Sequence, residues 1–183
     1  MNCRGPTVLA LGVAVFGLAT TATAAAWFDP PVPGDVRTCA TRGDSSHPAR
    51  PPNSGAITVG PLVIWPTVRD RTQRTADARW RYVTKAPVLV RARARVTLSV
   101  APWATALAGL WRNHGGGYVS AVRFAACRER QPARTYRGTV GRFTMFPFTF
   151  ALIVPSACVP MDVWIDGESG PHRIVVPVGR ASC

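Results

Sequence analysis

The chain predicts an all-β fold: a single β-sandwich, immunoglobulin-like in the loose sense, with seven or eight short antiparallel strands. Three observations carry this reading. Apolar and polar residues alternate with a period of two, most clearly over residues 86–102. Gly, Pro, Asn and Asp punctuate the chain at short intervals. No stretch shows the 3.6-residue apolar period of a long helix.

Residues 1–24 read as a signal peptide. Arg4 is the only charge before Asp29, and residues 8–19 form a continuous apolar run. Small residues at Ala22, Ala24 and Ala26 place cleavage after Ala24 or Ala26. The alternative is a retained anchor, but the second half of the run is Ala and Thr rather than Leu and Ile. No later stretch approaches spanning length, so no transmembrane segment is expected after cleavage.

Residues 25–55 are rich in Pro, Gly, Ser and Arg and read as an extended arm. The sandwich domain is then 56–183. Within it, 57–65 is a strand interrupted by Gly60-Pro61, 67–78 is a polar loop or short turn, and 79–84 is a second strand. Residues 86–102 form the organising strand, with Val88, Val90, Ala92, Ala94, Val96, Leu98 and Val100 on one face. Arg91, Arg93 and Arg95 line the other. A bend between Ala92 and Arg95 would split it into two strands and scatter that row. Residues 104–111 fit a helical turn or a strand, 118–127 a strand, and 143–154 a core strand bulged at Pro147. The clearest pair is 159–166 with 172–178, joined by a turn opened by Asp166-Gly167.

Four cysteines remain after the leader: Cys39, Cys127, Cys158 and Cys183. An even number, widely spaced in an exported chain, reads as two disulfides. Spacing alone does not fix the pairing; 127–158 with 39–183 is favoured, and Cys39 would pin the arm. The short Cys/His spacing of a zinc site is missing, and no motif calls for a cofactor.

The formal net charge is +13, or +12 without Arg4, and Lys85 is the only lysine. Codon bias accounts for arginine over lysine but not for the scarcity of acids. Such a charge favours an anionic envelope polymer or lipid surface. Nothing indicates specific nucleic-acid recognition. Arg91, Arg93 and Arg95 are the candidate ligand-binding residues, with Trp80 and Tyr82 as stacking faces.

The order V-R-F-x-x-C (122–127), C-V-P-x-x-V-W-x-D-G (158–167), Gly179 and Cys183 resembles a group of uncharacterised small exported actinobacterial proteins. The resemblance spans roughly residues 85–183. It implies secretion and a disulfide-bearing β domain, and no activity. At the bend, where the group carries glycine, this chain has Arg93.

Catalytic readings are thin. His114-Gly115-Gly116-Gly117 matches the oxyanion loop of some esterases, but no Gly-x-Ser-x-Gly elbow accompanies it. A small secreted hydrolase would need His114 or His172 as base. Asp162, Asp166 and Glu168 are close enough in sequence to meet at a calcium ion, though a solvated hairpin explains them better. Arg42-Gly43-Asp44 matches an integrin-type tripeptide that an Arg- and Gly-rich chain produces by chance. The expectation is therefore a non-enzymatic exported domain, secreted or held at the cell envelope, that associates with an acidic ligand. A module docking on another exported protein through the Phe-rich strand is the other alternative.

Overall fold

A computed structural model describes residues 29–41, 51–112, 116–132 and 140–183. The leader, the Arg-Gly-Asp tripeptide and His114 lie outside them. The described residues are all-β, with fourteen strands rather than seven or eight. In chain order these are β1 (Asp35–Arg37), β2 (Ile57–Val59), β3 (Leu62–Ile64), β4 (Gln73–Arg74), β5 (Tyr82–Lys85), β6 (Val88–Arg91) and β7 (Arg95–Val100). There follow β8 (Ala108–Trp111), β9 (Tyr118–Val119), β10 (Ala121–Ala125), β11 (Phe143–Phe146), β12 (Thr149–Leu152), β13 (Ala157–Ile165) and β14 (His172–Val178).

They form three sheets, ordered β1-β10-β7-β13-β14, β11-β6-β3-β2 and β4-β5-β12-β8-β9. The higher count has one physical cause: runs that read as single strands break and change partners. Residues 57–65 reverse at Gly60-Pro61, with Gly60 at φ +52°, so the halves pair as the hairpin β2–β3. Residues 143–154 break at Pro147, as its missing N–H requires. Its two halves pair with the two sides of Pro87: β11 with β6 and β12 with β5. The second and third sheets are thus the two halves of one kinked ladder, bridged by Ala86 N–H donating to the Phe148 carbonyl at 2.9 Å.

The organising stretch also breaks. Residues 91–94 make a β-turn, Ala94 N–H to Arg91 carbonyl at 3.0 Å, with Arg93 at φ +67°. Before the turn the chain belongs to the second sheet and after it to the first, so the arginines no longer share one continuous strand. Val88, Val90, Val96, Leu98 and Val100 still enter one core, with Phe124, Phe146, Phe148, Phe150 and Met161. The hairpin 159–166 with 172–178 appears as β13–β14.

The disulfides differ from the favoured pairing. They join Cys39 to Cys127 and Cys158 to Cys183. The arm explains why: within it, β1 runs parallel to β10, pairing Arg37 with Phe124, so Cys39 arrives beside the end of β10, where Cys127 lies. Cys183 is then left to Cys158 at the start of β13, where the tail after β14 returns. No helix among the described residues is long and apolar enough to cross a membrane.

Candidate anion-binding surface

The β-turn at 91–94 gathers the arginines differently from the row expected of a straight strand. Arg91 pairs in register with Phe143, and Ala92 N–H bonds the Arg142 carbonyl at 2.8 Å. Arg93 N–H bonds the Cys127 carbonyl at 3.0 Å, and Arg95 faces Ala125 across the β7–β10 ladder. The main chain therefore brings residues 128 and 142 within a strand spacing of the turn. Arg130 belongs to the same loop, its N–H bonded to the Val140 carbonyl at 2.8 Å. All six arginines (91, 93, 95, 128, 130 and 142) are exposed. Among the described residues no carboxylate pairs with any of them; the ion pairs all lie elsewhere.

Two of the six are backbone outliers. Arg93 (φ +67°) and Arg130 (φ +65°) are the only non-glycine residues with positive φ among those described. This left-handed region costs a side-chain-bearing residue about 1–2 kcal/mol, and glycine would avoid it. A GC-rich codon bias supplies glycine as readily as arginine, so bias does not account for arginine here. Strain held at an exposed loop in which arginines outnumber the one acid, Glu129, is a reason to look for a function there.

Trp80 and Tyr82 do not join this surface. Trp80 is buried, packed on Gly109 and Tyr118, with the Arg79 guanidinium 4.5 Å above its ring. It offers no free stacking face. Burial and then the charge of Asp77 raise the Tyr118 phenol above its ordinary pKa. Tyr82, in the third sheet, lines a cavity of about 430 Å³ with Arg71, Thr72, Arg74, Pro155, Ser156 and Arg180.

The acids of the last hairpin do not converge on a cation site. Asp162 faces Arg173 at 3.8 Å, Asp166 receives two hydrogen bonds from Arg123, and Glu168 meets His172 at 2.5 Å. No group of metal-binding side chains occurs among the described residues. His172 thus has an acid partner that the sequence did not indicate. Among the described residues, however, no hydroxyl or thiol bonds to it as a nucleophile would.

Sequence reading also passed over Arg37. It is 1% exposed, although its residue type and its place in a polar arm point outward. Its Nε donates to Asp35 at 3.0 Å, and its two terminal nitrogens donate to the carbonyls of Pro147 and Trp111. The guanidinium lies 5.1 Å from the centre of the Phe148 ring and 5.9 Å from that of Phe124. Burial lowers its pKa, against the hydrogen bond and charge of Asp35, which raise it. One side chain on an edge strand of the first sheet thereby holds the kink at Pro147 and the end of β8. The only signal in the sequence is Asp35-x-Arg37, a spacing that puts both groups on one face of a strand.

Comparison with protein-family models, curated proteins and solved structures finds no match.

Proposed function

We propose that this is a non-catalytic, exported β-sandwich domain, immunoglobulin-like in the loose sense, that associates with an anionic envelope polymer or lipid surface through its arginine-rich turn. The observation that carries the reading is the crowding of Arg91, Arg93, Arg95, Arg128, Arg130 and Arg142 at one exposed end without an acid partner. Like charges held together repel, and a polyanion relieves that repulsion. The two disulfides suit an oxidising compartment, in keeping with export. Trp80 and Tyr82 take no part in it, because Trp80 is buried and Tyr82 belongs to the third sheet.

Binding to phosphatidylglycerol vesicles, measured by co-sedimentation, tests it. Binding should fade between 0.1 and 1 M salt, as the Debye length shrinks from about 10 Å to about 3 Å. The control removes three exposed arginines from outside the turn. Arg91→Ser with Arg93→Ser and Arg142→Ser should abolish binding, while Arg69→Ser with Arg81→Ser and Arg112→Ser removes equal charge and should reduce it only modestly. Equal losses would leave diffuse charge as the explanation. No binding by the wild type to these vesicles or to an anionic polymer would discard the proposal.

A further inference from the structure

We infer that the cavity beside Tyr82 is a second, separate anion site, with room for a phosphate group and part of the molecule that bears it. It takes from the reading above only the class of ligand. Arg71, Arg74 and Arg180 line about 430 Å³ together with Tyr82 and Ser156, with no carboxylate among the lining residues. A phosphate monoester carries roughly −1.5 to −2 charges and three acceptor oxygens. Guanidinium groups match those oxygens in paired hydrogen bonds, and a hydroxyl can donate one more.

The walls are held by main chain from three parts of the sequence, which separates this place from a chance gathering of surface arginines. Arg74 is fixed on β4, in register with Tyr82 on β5. Thr72 Oγ1 donates to the Pro155 carbonyl at 2.7 Å, tying the segment of Arg71 to the loop before Ser156. The third wall depends on Gly179, whose N–H donates to the Val68 carbonyl at 2.7 Å. Gly179 has φ +68°, and a Cβ there would stand 2.8 Å from the Pro155 carbonyl oxygen and 3.1 Å from Ser156 and Thr72. Only glycine lets the chain pass this closely and deliver Arg180 to the cavity. The Cys158–Cys183 disulfide then ties down the segment that follows Arg180. A site made this way has its backbone pre-organised, so the ordering needed on binding falls to the arginine side chains.

Titration calorimetry with inorganic phosphate, at constant ionic strength set by chloride, tests the site. The wild type should bind phosphate, and Arg74→Ser with Arg180→Ser should weaken it at least about tenfold. The turn variant Arg91→Ser with Arg93→Ser and Arg142→Ser should bind phosphate as the wild type does. Cys158→Ser with Cys183→Ser should weaken binding while leaving the rest of the fold intact by circular dichroism. Acetate and phosphatidylglycerol vesicles form two further arms. A loss of phosphate binding without a loss of vesicle binding in the Arg74/Arg180 variant would assign the cavity to a free or polymer-borne phosphate. A loss of both would assign it to a lipid headgroup. Acetate binding equal to phosphate would overturn the phosphate assignment. Absence of phosphate binding in a wild type that still binds vesicles would overturn the cavity site and leave the turn standing.

Discussion

Arg37 and Arg93 carry the same side chain in opposite settings. Arg37 is enclosed between aromatic rings, with a carboxylate and two carbonyls as partners, on a regular edge strand. Arg93 is exposed, without an acid partner among the described residues, on a strained turn among five other arginines. In the first region the backbone is relaxed and the charge is satisfied inside the protein. In the second the backbone carries the strain and the charge meets no carboxylate of the protein among the described residues. A net charge of +13 does not distinguish these uses. What distinguishes them is which partners the fold supplies.

The largest effect should come from what fixes the arm carrying Arg37. The Cys39–Cys127 bridge spans 88 residues, and closing a loop of that size stabilises by about 4–5 kcal/mol in the chain-entropy model. Cys39→Ser with Cys127→Ser should lose that much in guanidinium unfolding. The shorter Cys158–Cys183 loop, spanning 25 residues, should be worth about 3–4 kcal/mol. If the first pair proved the cheaper to remove, the arm would not be integral to the fold, and the contrast between the two arginine regions would weaken.

Next comes Arg37 itself. Arg37→Leu leaves Asp35 buried without the guanidinium, and the Pro147 and Trp111 carbonyls without its donors, a loss of about 3–5 kcal/mol. Asp35→Leu combined with Arg37→Leu should be less damaging than Arg37→Leu alone, because the buried carboxylate that loses its guanidinium is removed with it. Arg37→Lys should not restore stability, since one ammonium lacks the planar fork that spans three acceptors. A single variant within about 0.5 kcal/mol of wild type in urea unfolding would show that the buried contacts are not structural.

Legibility in the sequence divides along the same line. The all-β class was readable, because alternation over 88–100 follows from the geometry of a strand and Asp166-Gly167 marks a turn between two apolar runs. At Pro147 an irregularity was readable, since proline removes a ladder donor, but the sequence suggests a bulge in one strand where the structure has a break between two. The number of strands was not: Gly60-Pro61 turns one run back on itself as a hairpin, Pro147 and Arg93 change which sheet a run belongs to, and partner exchange leaves no mark on periodicity. The pairing of Cys39 with Cys127 depends on β1 lying beside β10, a long-range contact made by three residues whose polar members face inward. The arginine cluster was half legible. The stretch 91–95 named three members, but Arg128, Arg130 and Arg142 join only through hydrogen bonds between distant segments. Tyr82 was singled out as a stacking face for the wrong arginines; Arg74 and Arg180 stand beside it because of a ladder and a glycine turn.

The smallest expected effect on stability is also the sharpest comparison. Arg93 occupies a position that glycine would hold without strain, so Arg93→Gly removes about 1–2 kcal/mol of backbone cost. Glycine also loosens the unfolded chain, which takes back roughly 0.5–1 kcal/mol. The folded protein should therefore be more stable by about 0.5 kcal/mol, with a little more at low salt where one fewer like charge crowds the turn. Vesicle binding should fall in the same variant. Arg130→Gly, at the other positive φ, should repeat the pattern in unfolding and in co-sedimentation. Opposite signs for stability and binding are what a strained functional turn gives. If stability and binding fell together, Arg93 would be structural like Arg37, and the distinction between the two regions would fail.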